Sequence, residues 1–251
     1  MTLASPPPPP RRRRAKCLAR AGFPRGRVLQ AEGKADGTGV AVGAPMPALD
    51  HRPELLPFAV GDNPGFAVTH LTRAHWSVRV WGRLGPYWAD AFSLGLARAR
   101  ISIRRGFARQ DGEGRWIADF LLAPGQDAPD PSSLDLLALA LGGSAAGDGD
   151  PIVLSDYALD GGPDVGPSLY LEVRGPDRLG FLGSLLRALA RLELSPREML
   201  ISTSDGEAHD RFLLKTVTGA VPSEATRRLL QASLNAAVRS RRDVAAAASP
   251  A

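Results

Sequence analysis

The amino-acid sequence predicts an α+β fold in which one unit of secondary structure occurs twice along 251 residues. In each unit a strand, at residues 76–81 and again at 169–174, leads through a glycine-containing turn into an apolar helix. A hairpin then follows in each unit, marked by Asp-Gly-Glu at residues 111–113 and at 205–207. A repeat of this kind indicates two similar domains packed together, with any ligand held at the turns or between the domains.

The first unit has the predicted order strand, helix, strand, strand, helix, strand. After the first strand, residues 87–99 carry the broad apolar stripe of a helix, and residues 100–108 and 116–122 form the hairpin strands. Ser and Asp at capping-box spacing in residues 132–135 open a second apolar helix. Residues 151–157 are predicted to close the unit as its last strand. This is the ferredoxin-like βαββαβ plan, a four-stranded antiparallel sheet with both helices on one face.

The second unit repeats this order up to its last element. The sequence predicts a helix at residues 179–192, strands at 198–204 and 209–217, and a helix that opens at residues 222–224. No final strand is evident, because the Ala-rich end of the chain has poor strand character. Either the second sheet has three strands or another segment fills the gap, and residues 66–71 are a candidate for that segment.

The amino-terminal part differs from the rest in composition. Residues 1–64 hold half of the 22 prolines and account for the whole formal net charge of +5. We predict a disordered tail there, then domains at 65–160 and 161–240 and a flexible tail at 241–251. A basic tail can attract nucleic acid or anionic lipid, but an unstructured leader explains it more simply. The balanced charge of the two domains makes nucleic acid a poor candidate for a partner.

The predicted location is the cytoplasm. No apolar run approaches the ~20 residues that a membrane-spanning helix needs, so no membrane association is expected. Charged residues interrupt the early sequence before any stretch long enough for a targeting signal. The lone Cys17 excludes an internal disulfide and a Cys-rich zinc site.

The turn at residues 177–182, together with Ser-Asp-Gly at residues 204–206, resembles the ACT domain. ACT domains are regulatory modules of ferredoxin-like fold that usually bind amino acids. The pair most resembles the tandem ACT segment at the carboxyl end of bacterial uridylyltransferase/uridylyl-removing enzymes, over about residues 74–238. Two positions depart from the pattern: Leu179 stands where the family usually has proline, and Gly82 of the first unit is aligned with Asp177 of the second.

The resemblance implies a ligand site at the turn of the second unit. A helix amino terminus offers backbone N–H groups and a favourable dipole to the carboxylate of a free amino acid. Asp177 would accept a hydrogen bond from the ammonium of that ligand, and Gly180 would let it approach without a Cβ in the way. Alternatively, Asp177 only caps its helix and Gly180 only serves the turn. The predicted site consists of Asp177, Arg178, Gly180, Phe181 and Leu182.

No catalytic constellation is evident. The sequence has neither a Gly-Ser turn with paired aspartates for nucleotidyl transfer nor a His-Asp metal cluster, since the pair His209-Asp210 stands alone. We therefore expect a non-catalytic regulatory protein without cofactor or metal, binding an amino acid or related metabolite in nitrogen or amino-acid metabolism. A partner enzyme and a homodimer are the assemblies that this interpretation allows. The alternative is a ligand-free interaction or dimerisation module derived from ACT repeats.

Overall fold

The computed structural model describes residues 61–142, 151–160 and 168–247 of the chain. Within these ranges the protein has one antiparallel sheet of eight strands and four α-helices. The predicted disordered tail lies outside the described residues except for residues 61–64, and so do residues 248–251. Residues 241–247, predicted to belong to a flexible tail, continue the last helix.

Each repeat contains two strands, a helix, two strands and a helix. The first repeat consists of β1 (Gly65–Thr72), β2 (His75–Gly82), α1 (Trp88–Arg98), β3 (Ile101–Gln110), β4 (Trp116–Pro124), a 3-10 turn (Pro131–Ser133) and α2 (Leu136–Leu141). The second consists of β5 (Asp156–Asp160), β6 (Leu169–Pro176), α3 (Phe181–Arg191), β7 (Leu194–Ser204), β8 (Glu207–Thr216) and α4 (Glu224–Ala247).

The two repeats form one continuous sheet, in the order β1-β2-β4-β3-β7-β8-β6-β5. They join where β3 pairs with β7, and Phe107 lies opposite Leu200 at that join. Outward from this pair, the same row of the sheet passes through Asp119 and Arg79 on one side and through Arg211 and Glu172 on the other. The register shifts at residues 103–105 of β3 and 196–198 of β7 lie at matching distances from this row, and so do the starts of α1 and α3. The sheet is therefore related to itself by an approximate twofold axis at the join, and Arg79 corresponds to Glu172.

The edge strands correct the predicted strand order. Residues 66–71 lie in β1 and pair with β2 of their own repeat, because the turn between these strands is too short for any other partner. Residues 151–157 are predicted to close the first repeat as a strand, but only residues 156 and 157 lie in a strand, β5, and β5 pairs with β6 of the second repeat. The missing strand is thus supplied in each repeat by a strand that precedes the unit, giving ββαββα in place of βαββαβ. The domain limits at 65–160 and 161–240 stay a prediction.

The core lies between the sheet and the helices, and it continues across the join. Trp88 of α1 packs edge-on against Trp116 of β4, with ring centroids 5.3 Å apart. At the join, α3 approaches α1 closely, since a Cβ on Gly183 would stand 2.7 Å from Leu94 Cγ. This close approach brings the amino terminus of α3 against the first repeat.

Candidate functional site

The five predicted site residues line a single cavity at the join of the repeats. Asp177, Arg178, Gly180, Phe181 and Leu182 surround the amino terminus of α3, and Ser93, Ala97 and residues 101–103 of the first repeat close the opposite side. The cavity measures about 30 Å³, which is room for about one water molecule. The structure therefore gathers the predicted residues, and both repeats contribute to the site.

The turn before α3 has the conformation that its glycine allows. Gly180 has a φ of 85°, in the left-handed region, and its carbonyl accepts the N–H of Ser184 at 2.9 Å. The N–H of Phe181 already donates to the carbonyl of Arg178 at 3.0 Å, so it is committed within the turn. At this helix amino terminus the backbone N–H groups of Gly180 and Leu182 remain for a ligand carboxylate.

Asp177 is held by an arginine of the other repeat. Its Oδ2 accepts a hydrogen bond from Nη1 of Arg104 at 2.6 Å, and both side chains are partly buried. Arg104 lies at the irregularity of β3 between Ile103 and Arg105, where the strand register shifts. A bulge of this kind redirects a side chain. The carboxylate therefore makes an ion pair across the join instead of capping α3.

Asp210 is a site residue that the sequence analysis missed. It lies on β8 between Ala208 and Phe212, on the face that packs under the helices, and it is 1% exposed. It lines the same cavity as Asp177, and its Oδ1 is 3.4 Å from the backbone nitrogen of Ser202. Burial raises the pKa of Asp210 to about 8, with a further rise from the nearby charge of Asp177. At neutral pH this carboxyl is therefore held in its protonated form.

A signal for Asp210 exists in the strand pattern. Every second residue of β8 is buried, so Asp210 occupies a core-facing position between two apolar residues. A carboxyl at such a position indicates a specific role, because acidic side chains are seldom fully buried without a partner. From the sequence, His209-Asp210 is interpreted as an isolated pair that falls short of a metal cluster and has a structural or solvated role.

His209 points to the opposite face of the sheet, as alternation along a strand requires. Its Nε2 lies 2.6 Å from Oε1 of Glu172, and the hydroxyl of Tyr170 donates to Oε2 of Glu172 at 2.7 Å. These contacts, the one with His209 foremost, lower the pKa of Glu172 to about 2. His209 and Asp210 therefore share no site. Across the described ranges no group of three or more His, Cys, Asp or Glu is placed to hold a metal ion.

The twofold relation corrects the alignment of Gly82 with Asp177. Since Arg79 corresponds to Glu172 across the join, Leu84 takes the place of Asp177 in the first repeat. The counterpart of Asp210 is Ala118, which lies one residue before the matched pair Asp119 and Arg211. The first repeat thus lacks both carboxyls at the equivalent position.

The equivalent turn of the first repeat is tied to the second repeat by a hydrogen bond. The hydroxyl of Ser195 donates to the carbonyl of Pro86 at 3.1 Å, which ties that turn to β7. Trp88, the counterpart of Phe181, is buried as Phe181 is. The two carboxyls therefore belong to the turn of the second repeat alone, within the described part of the chain.

None of the helices in the described residues has the length and apolar character required to span a membrane. The cytoplasmic location stays a prediction.

Comparison with known proteins gives little to add. No family model matches the chain, and no curated protein matches it. The solved structures that match include the crystal structure of aspartate kinase from Synechocystis, with 17% identity and a TM-score of 0.34. That match covers 57% of this chain and 24% of the kinase chain, so the protein corresponds to about a quarter of the kinase's length. A likeness of this size carries no argument about function.

Proposed function

We propose that the protein is a non-catalytic regulator built of two ACT-type domains, which binds an amino acid or related small metabolite at the join. The observation that carries the proposal is the pair of carboxyls, Asp177 and buried Asp210, in a cavity that both repeats line. A titratable group shifted by burial and facing a cleft is typical of a functional site.

The two ends of an amino acid match the two sides of the cavity. Its carboxylate would accept hydrogen bonds from the backbone at the amino terminus of α3, where the helix dipole favours negative charge. Its ammonium would lie against Asp177 and Asp210. In the structure Arg104 already provides a cation to Asp177, so we infer that the ligand ammonium replaces the Arg104 guanidinium.

Replacement of the Arg104 guanidinium by the ligand ammonium would change the conformation at the join. A cavity of about 30 Å³ must widen to admit an amino acid, so Arg104 and the turn at residues 177–182 must move apart. Because Arg104 belongs to the first repeat and Asp177 to the second, ligand binding breaks an ion pair across the join. A partner enzyme of nitrogen or amino-acid metabolism would respond to the two states through its different affinities for them.

The test is thermal denaturation of the full chain with each amino acid in turn. A ligand present at a hundred times its dissociation constant should stabilise the protein by about 2.7 kcal/mol. The variant Asp177→Asn should lose this stabilisation. The control Asp205→Asn, which alters an exposed aspartate in the hairpin turn, should keep it. Stabilisation by no amino acid, or by the same amount in Asp177→Asn, contradicts the proposal.

A ligand-free interaction module is the second candidate, and the ion pair itself favours it, because Arg104 already balances the charge of Asp177. The variant Arg104→Gln separates the two candidates. If Arg104 competes with a ligand ammonium, its removal tightens amino-acid binding, whereas a purely structural ion pair gives a less stable protein that binds nothing. In that case the unpaired edges of β1 and β5 are the surfaces that we would test for homodimer formation.

A further inference from the structure

A second cavity separates α3 from α4, away from the join. It measures about 260 Å³, close to the lower end of the range for small-molecule sites. Its walls are mainly aliphatic, from both helices and from the segment before β5, and include Ile152, Leu185, Leu189, Leu192, Leu230 and Leu234.

In the described residues of the first repeat the two helices pack closely. There α1 approaches α2 so closely that a Cβ on Gly95 would stand 2.6 Å from Leu139 Cδ2. By the twofold relation the counterpart of Gly95 is Ala188, which lines the cavity. The repeats therefore differ at this place, with close helix packing in the first and open space in the second.

Helix α4 is held in position by β5 and by the segment before it. The carbonyl of Ala237 accepts the N–H of Leu154 at 3.3 Å. The hydroxyl of Tyr157 donates to Oδ1 of Asn235 at 2.7 Å. These contacts fix α4 to β5 and to the segment before β5.

Among the described residues that line the cavity, the charged side chains are Arg187 and Arg191, and Ser184, Ser233 and Ser240 supply further polar atoms. Arg187 is 9% exposed, and its Nε lies 3.7 Å from Oδ1 of Asp90 in α1. This ion pair helps to orient the Arg187 side chain. Arg191 is exposed at the end of α3. The cavity therefore combines an aliphatic interior with cationic groups along α3.

We propose that this cavity binds an amphipathic carboxylate, with its apolar chain between α3 and α4 and its carboxylate at Arg191 and Arg187. Arginine suits this role because its guanidinium donates two parallel hydrogen bonds to a carboxylate. This site is independent of the amino-acid site. Its ligand differs in chemistry, since it has an aliphatic body and needs no ammonium.

The experiment is calorimetric titration of octanoate, below its micelle-forming concentration, into the full chain. Saturable binding is the expected result. Ala236→Phe places a large side chain in the cavity and should abolish binding. Ala232→Phe makes the same change one turn earlier on the exposed surface of α4, outside the cavity lining, and should leave binding unchanged.

Two further measurements test the role of charge. Arg191→Gln should weaken octanoate binding roughly fivefold, whereas Arg228→Gln, at an exposed arginine outside the cavity, should have no effect. Octanol, which has no charge, should bind more weakly than octanoate. No saturable binding, equal affinity in Ala236→Phe and Ala232→Phe, or equal affinity for octanol and octanoate would overturn the proposal. The Arg191 comparison still decides the matter if Ala236→Phe fails to fold.

Discussion

The buried carboxyl of Asp210 makes a sharp prediction about stability and pH. Asp210 is 1% exposed, and burial raises its pKa to about 8 from the ordinary 3.8. The folded protein thus keeps a proton that the unfolded chain releases near pH 4. Because the pKa is raised on folding, the contribution of this group is greatest below pH 3.8 and is lost as the pH rises towards 8. Asp210→Asn has nearly the same shape and no proton to lose.

The magnitude follows from the pKa. Each pH unit above 3.8 costs the folded state about 1.4 kcal/mol for as long as Asp210 stays protonated. Between pH 4 and pH 7 this amounts to an upper limit of about 4 kcal/mol. Relative to the natural protein, Asp210→Asn should therefore gain up to that amount of unfolding free energy over this interval.

Urea denaturation of the full chain, followed by circular dichroism from pH 4 to pH 8, measures this difference. Asp205→Asn, at an exposed aspartate, is the matched control and should reproduce the natural profile. If Asp210→Asn and the natural protein give parallel profiles, Asp210 does not carry a proton in the folded state, and the electrostatic account of the site is wrong.

Three further substitutions test the local structure, and for each the unfolding free energy is measured by urea denaturation. Gly180→Ala should lose about 1 to 2 kcal/mol at pH 7, because Gly180 has a φ of 85°; Gly112→Ala, in open space, should lose less. Gly183→Ala should lose about 1 to 3 kcal/mol, since its Cβ would stand 2.7 Å from Leu94 and force α3 away from α1. Glu172→Gln should lose about 1 kcal/mol at pH 7. That loss should disappear as the pH falls from 4.5 towards 2, because the pKa of Glu172 is lowered in the fold.

The sequence predicted the features that depend on neighbouring residues. Strand alternation, the apolar stripes of α1 and α3, and the turn at Gly180 follow from local periodicity and backbone preference, and the structure has all of them. Because the turn residues are contiguous, the members of the predicted site were found together in one cavity.

The features that the sequence did not predict depend on distant partners. The strand predicted at residues 151–157 overlaps β5 by two residues, and nothing in its sequence indicates the edge of the sheet that β5 joins. The Arg104–Asp177 ion pair joins two repeats and depends on a bulge in β3 that leaves no clear local signal. The match of Leu84 with Asp177 emerged only from the register of the sheet, because the two turns differ in sequence.

The central claim is that an amino-acid ammonium binds at Asp177 and Asp210. It is tested most directly by calorimetric titration of glutamine, and then the other amino acids, into the full chain at pH 7, in two buffers of different protonation enthalpy. The account predicts saturable binding with release of up to about one proton, as Asp210 ionises beside the ligand, and loss of binding in Asp177→Asn. The account is contradicted if the binding enthalpy is the same in both buffers and Asp177→Asn binds as the natural protein does. It is also contradicted if no amino acid gives saturable heat.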